Sequence, residues 1–168
     1  MWHTNYMNNY KIELYLILIF FVSLISIISA YFIEHVLGHQ PCNLCLIERI
    51  PYILSTVLII ANYIFLKKNK IIIFLLILLF AFSLIISLYH FGIEQNFFEE
   101  SAICGLKNAA EIISKEEILK QLNEKTTSCK DVTFKIFGFS LTAINILINL
   151  LLLIILLKIF KNYEKFQK

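Results

Sequence analysis

The sequence predicts an all-α integral membrane protein, a four-helix bundle with two extracytoplasmic loops, the second containing a short surface helix. Three observations predict it. The 168 residues are 59% hydrophobic and 16% charged, against an apolar share of roughly 45–50% in soluble domains. The apolar excess is gathered into four uncharged runs, Leu14–Ile33, Ile50–Leu66, Ile71–Tyr89 and Ile136–Leu157. The lysines, finally, fall unequally on the two faces that four spans would define. At this length residues 1–168 make a single transmembrane domain, and nothing in it suggests a nucleic-acid partner.

The first span is expected at about 14–33. Its apolar core exceeds the roughly 7–15 residues of a signal-peptide core and three further runs follow, so it reads as retained. The second run sits at the short limit of the roughly 17–25 residues a span needs. Pro41 suits the first turn of a helix, where its missing N–H costs nothing, so this span is expected at about 41–66, with Pro51 kinking it near the outer interface. The third and fourth are expected at about 71–91 and 136–158, leaving loops at about 34–41 and 92–135. None carries a polar stripe, so the helices face lipid and one another.

An even number of spans puts both termini and the central KKNK loop on one face. That face holds Lys11, Lys67, Lys68, Lys70, Lys158, Lys161, Lys165 and Lys168 against Glu13 and Glu164, whereas acids outnumber bases on the other. Lysine excess in short loops marks the cytoplasmic side. Both termini are therefore expected inside and both long loops outside. All four cysteines, Cys42, Cys45, Cys104 and Cys129, fall in or at the edge of those outer loops. A free cysteine behaves as a small buried hydrophobe, so an even number placed wholly outside points to an oxidising compartment.

GHQPCNLCLIERIPY at 38–52 holds a thiol pair and the chain's single arginine. On a helix Cys42, Cys45, Arg49 and Tyr52 share one face. The helix start favours a Cys42 thiolate. Arg49, one turn deeper, is placed to lower the Cys45 pKa or to polarise a lipid-soluble carbonyl, and Glu48 to orient the guanidinium. A His35–His39–Cys42–Cys45 metal site uses the same thiol pair; it leaves the arginine and the other two cysteines without a role. Leu46 stands where a CxxCH haem site needs histidine. The bland role for Arg49 is an interfacial anchor.

Cys104 and Cys129 bracket 24 residues rich in lysine and glutamate. Joined, they would serve as a staple or as a readily exchanged disulfide. Between them Ser114-Lys-Glu-Glu117 reads as a capping box opening a short helix to about Gln121, with Ile113, Ile118 and Leu122 laying it on the membrane surface.

PCNLCLIER at 41–49, YHFGIE at 89–94 and SCKDVTFKIFGFSLTAIN at 128–145 resemble, in this order, the first-loop motif, the YHxGxE after the third span, and the last-cysteine segment with its FGxS turn in the DsbB-type family of bacterial inner-membrane disulfide oxidoreductases. The resemblance runs from about residue 12 to 157. It implies reoxidation of a periplasmic DsbA-like thioredoxin-fold oxidase, with electrons passed to a membrane quinone, ubiquinone or menaquinone. It implies that the partner attacks Cys104, that Cys129 then attacks Cys42, and that Cys45 is released beside the quinone, with Arg49 and, by likeness, His90 near it, and with Glu48 flanking the arginine. Two departures stand out: EESAICG replaces the frequent Gly-Pro before the third cysteine, and Ile144 replaces an aromatic before Asn145. Asn145 itself reads as helix glue, and His90 equally as an interfacial hydrogen-bonding group. A vitamin K epoxide reductase type is a second enzymatic reading, although its CxxC lies in the last span. The reading from another class is a non-enzymatic metal-binding or scaffold membrane protein with a structural Cys104–Cys129 disulfide.

Overall fold

The computed structural model describes residues 2–66, 69–99, 129–130, 135–136 and 138–167. Four long helices make it up: α1 (Trp2–His35), α2 (Asn43–Ala61), α3 (Asn69–Glu94) and α4 (Leu141–Gln167). Each contains a stretch long and apolar enough to cross a membrane, Ile12–His35, Asn43–Phe65, Lys70–Glu94 and Leu141–Lys161. At most 33% of the most apolar window of any span is buried, so most of each helix surface is Leu, Ile and Phe turned outward. That surface suits lipid and would be untenable in water. This is a multi-pass membrane protein. The principal contacts run α1 to α2, α2 to α3, α3 to α4 and α4 to α1, which closes a four-membered ring.

Three helix starts differ from the expectation: α1 begins at Trp2 and not near residue 14, and two others begin later than expected. α2 begins at Asn43, with Cys42 as its N-cap, so Pro41 precedes the helix and does not occupy its first turn. Pro51 is fully buried within α2, which ends in a single π-helical turn, Asn62–Leu66. α4 begins at Leu141 and not near 136. Ahead of it β1 (Lys135–Ile136) pairs antiparallel with β2 (Phe139–Ser140). Gly138, at φ +87, supplies the left-handed residue that so tight a hairpin demands. Ser140 then accepts a hydrogen bond from the Ala143 N–H at 3.2 Å and so caps α4. The apolar run read as one span is thus a hairpin, a cap and a helix. The expected surface helix at 114–121 lies outside the described residues.

Along its length the bundle changes character. Ile12, Ile19, Ile72, Leu76, Phe80 and Leu156 fill the end where α1 and α3 begin. The middle holds buried small and polar residues, Ser23, Ser55, Ser83, Ser87 and Asn149. Small side chains let transmembrane helices approach, and their hydroxyls bond across the gap: Ser55 Oγ donates to Ser23 Oγ at 2.9 Å, tying α2 to α1. The opposite end, where α2 starts and α3 stops, carries a separate buried cluster of Cys42, Leu44, Ile93 and Cys129.

Candidate functional site

The site begins with the N-cap of α2. Cys42 has extended backbone, φ −74 and ψ 168, and its Sγ accepts the Cys45 N–H at 3.3 Å. One of the amides that a helix start leaves without a partner is thereby satisfied by sulfur. The two sulfurs, both free thiols, lie 2.8 Å apart. The hydrogen bond from Cys45 is the largest influence on the Cys42 thiol. It and a contact with His90 outweigh burial, which acts the other way, and hold the group down at about 4 against an ordinary 9.0. A depressed value is what a nucleophile or leaving group in thiol exchange requires.

His90 arrives from α3, 42 residues from Glu48 and 48 from Cys42 along the chain. Its Nε2 lies 3.5 Å from Cys42 Sγ. Its Nδ1 lies 3.0 Å from Glu48 Oε1 and 3.4 Å from Thr142 Oγ1. The Thr142 hydroxyl in turn donates to Glu94 Oε1. The carboxylates orient the ring so that its other nitrogen faces the sulfur. Cys129 completes the group: it is buried and disulfide-bonded, and its sulfur, Cys42 Sγ and a ring nitrogen of His90 all lie within 4.8 Å of one another. Residues from two loops and a helix end thus meet at one point. Cys104 lies outside the described residues.

Glu48 does not orient Arg49, as the sequence suggested. Its second oxygen accepts from Asn145 Nδ2 at 2.8 Å, so the carboxylate is turned toward α3 and α4. The guanidinium is held from α1: its Nη1 pairs with Glu34 Oε2, and its carbon lies 5.2 Å from the centre of the Tyr31 ring. The Arg49 side chain is only 12% exposed.

Asn145 is the knot of the polar layer. Its amide also donates to Ser87 Oγ at 2.9 Å, and its carbonyl oxygen accepts from the Tyr52 hydroxyl, joining α2, α3 and α4. Asn149, one turn on, accepts from Tyr52 at 3.2 Å. A cavity of about 330 Å³ opens beside this layer, walled by Ile25, Ile33, Ile144 and Ile148. Cys42, Cys45, Glu48, Arg49, His90 and Cys129 all line it.

Sequence reading missed Glu34, Glu94, Thr142 and Asn149. Two carried a signal: Asn149 is a polar residue one turn after Asn145 in an apolar run, and Glu94 follows His90 by four. Glu34 and Thr142 are distant in sequence from what they serve. The His35–His39–Cys42–Cys45 set is not gathered. Among the described residues the group that could hold a metal ion is Cys42, His90 and Cys129, while His35 Nδ1 lies 3.2 Å from the Tyr31 carbonyl on its own exposed helix end.

Comparison with known proteins follows the same lines. The profile of the family described as disulfide bond formation protein DsbB matches residues 13–159. The uncharacterized protein RP370 of Rickettsia prowazekii (strain Madrid E) is 30% identical over 154 residues, covering 90% of each chain.

Proposed function

The chain belongs to the DsbB family of disulfide bond formation proteins, and from that premise we propose that it reoxidises a periplasmic DsbA-like thioredoxin-fold oxidase and passes the electrons to a membrane quinone. One observation carries the proposal: Cys42 and Cys129, 87 residues apart in sequence, have their sulfurs within 4.8 Å at the edge of an apolar cavity that also holds Arg49. In this reading the spans cross the bacterial inner membrane with both termini cytoplasmic, as the lysines suggest, and the cysteines face the periplasm.

The thiol chemistry balances as follows. A partner thiolate attacks Cys104 of a Cys104–Cys129 disulfide, forming a mixed disulfide and releasing Cys129 as thiolate. Cys129 attacks Cys42 of a Cys42–Cys45 disulfide, so that a Cys42–Cys129 bond forms and Cys45 leaves. The partner's second thiol attacks the mixed disulfide, departs oxidised and frees Cys104. Cys104 then attacks Cys129, restoring the Cys104–Cys129 bond and leaving Cys42 and Cys45 with two electrons. His90 holds a proton against Cys42 while the sulfur changes charge, and Glu48 and Thr142 keep the ring in place.

The cavity fits a quinone headgroup: its size falls within the roughly 300–1,000 Å³ of small-molecule sites, isoleucines contribute much of its apolar wall, and Arg49 and His90 are among the polar groups that line it and would hold the headgroup. When bound, a quinone supplies an acceptor for two electrons and two protons. Cys45 lines the cavity on the same helix face as Arg49.

The test uses purified, fully reduced protein in detergent. On adding ubiquinone the thiol count is expected to fall from four, and a thioredoxin-fold oxidase lacking its second active-site cysteine is expected to stay covalently joined to Cys104. A count that stays at four in protein stripped of metal by a chelator favours the scaffold reading and overturns this one.

A further inference from the structure

We propose that reduction of the Cys129 disulfide turns the hand-off point into a binding site for a thiophilic d10 cation such as Zn²⁺ or Cd²⁺, with Cys42 Sγ, Cys129 Sγ and His90 Nε2 as ligands. The three side chains are buried, at 5%, 3% and 2% exposure, and their ligand atoms lie within 4.8 Å of one another. A tetrahedral zinc with bonds of about 2.3 Å to sulfur and 2.0–2.1 Å to nitrogen places sulfur and nitrogen ligands roughly 3.5 Å apart. Cys42 Sγ and His90 Nε2 stand at 3.5 Å already.

The surroundings match what such a site needs. Metal-bound histidines commonly donate the other ring N–H to a carboxylate, which fixes the tautomer and raises ligand basicity. Here Glu48 Oε1 sits 3.0 Å from His90 Nδ1 and is itself held by Asn145. Access comes through the cavity, which all three ligands line. The fourth position is left to solvent, as in open zinc sites. Cys45 is outside the set, which separates this site from ordinary metal capture by a CxxC pair.

While Cys129 is disulfide-bonded its sulfur cannot ligate, so the site exists only in reduced protein. A phosphine reductant supplies the two electrons that open the disulfide, and the Cys129 thiol gives up its proton as the cation binds beside Cys42. Under the function proposed above, and resting on it for this consequence alone, an ion there stalls turnover, because Cys129 bound to metal cannot attack Cys42.

The experiment titrates phosphine-reduced, reductant-free full-length protein in detergent with Cd²⁺ and follows the ultraviolet thiolate-to-cadmium absorption, with no quinone present. One equivalent is expected to bind to reduced protein and none tightly to oxidised protein. Cys45→Ser and Cys104→Ser should retain it, Cys129→Ser should lose tight binding, and Glu48→Gln should weaken it by roughly 10–100-fold. Retention in Cys129→Ser together with loss in Cys45→Ser would place the ion on the CxxC pair and overturn the proposal, as would no absorption at all. Because this readout needs neither quinone nor partner, it succeeds or fails independently of the oxidase assay.

Discussion

At the scale of single residues Cys42 is the sulfur whose surroundings favour the charged form, and its position is the reason. As N-cap it receives the Cys45 amide and thiol on one side and the His90 ring on the other, all of which favour the charged form. With the folded value near 4 and the ordinary one at 9.0, the native state binds fewer protons than the unfolded state between those limits. The linked stability is therefore complete above about pH 9 and disappears as pH falls through about 4. Alkylation of Cys42 by a small reagent should accordingly follow an ionisation far below 9.0, and Cys45→Ser, which removes the largest cause, should move it upward. A wild-type midpoint near the ordinary thiol value would deny the thiolate its role. Arg49 gives a second test. Lysine keeps the charge but loses the planar fork that meets Glu34 and the Tyr31 face. Arg49→Lys should raise the quinone KM several-fold, on the order of 1 kcal/mol, with thiol exchange unchanged, and Glu34→Gln should act in the same direction. Unaltered quinone kinetics in both would make the pair a structural anchor.

At the scale of elements, the helix ends decide where the chemistry sits. α3 stops because Asn96 adopts a left-handed conformation, φ 60, and the chain folds back so that the Phe97 and Phe98 amides both reach the Gly92 carbonyl, at 2.8 and 3.3 Å. The Phe98 ring lies against Tyr89, with centroids 5.7 Å apart, in space that only a glycine at 92 leaves open: a Cβ there would come within 2.4 Å of the ring. Gly92→Ala must push Phe98 off the helix, at a cost of roughly 1–3 kcal/mol, whereas in a Phe98→Ala background the same change should be nearly neutral. Thermal unfolding in detergent measures the cycle, and additive effects would mean that the contact does not hold the helix end. These ends also mark where sequence reading falls short. The apolar run at 136–157 was legible as a span, but periodicity cannot separate hairpin from helix when both are apolar; Gly138 and Ser140 are the residues that draw the boundary. Pro41 suggested a helix start two positions too early because a cysteine sulfur at 42, which propensity does not credit as a cap, supplies the N-cap.

For the whole molecule, the bundle divides its labour lengthwise. The large apolar residues pack one end, the serines and asparagines tie the middle, and the thiols meet at the other end. The four spans and the CxxC beside Arg49 were legible from hydropathy and spacing, since both are local in sequence. The Glu34–Arg49 pair and the His90–Cys42 contact were not, because they depend on which helices become neighbours in the ring. That arrangement predicts separable halves of the reaction. Cys104 falls in the lysine- and glutamate-rich stretch of sequence between α3 and β1, whereas Cys42 and Cys45 line the cavity between the helices. Cys104→Ser should therefore abolish exchange with a thioredoxin-fold partner while leaving quinone reduction by a small dithiol partly intact, because the small dithiol reaches the Cys42–Cys45 pair without a loop to carry its electrons. Assayed side by side on the same detergent-purified protein, the two rates should part company in this variant and fall together in Cys45→Ser, which under the proposed function closes the exit to quinone. Equal loss of both rates in Cys104→Ser would mean that the two cysteine pairs act as one unit, and that the lengthwise division of the bundle has no counterpart in its chemistry.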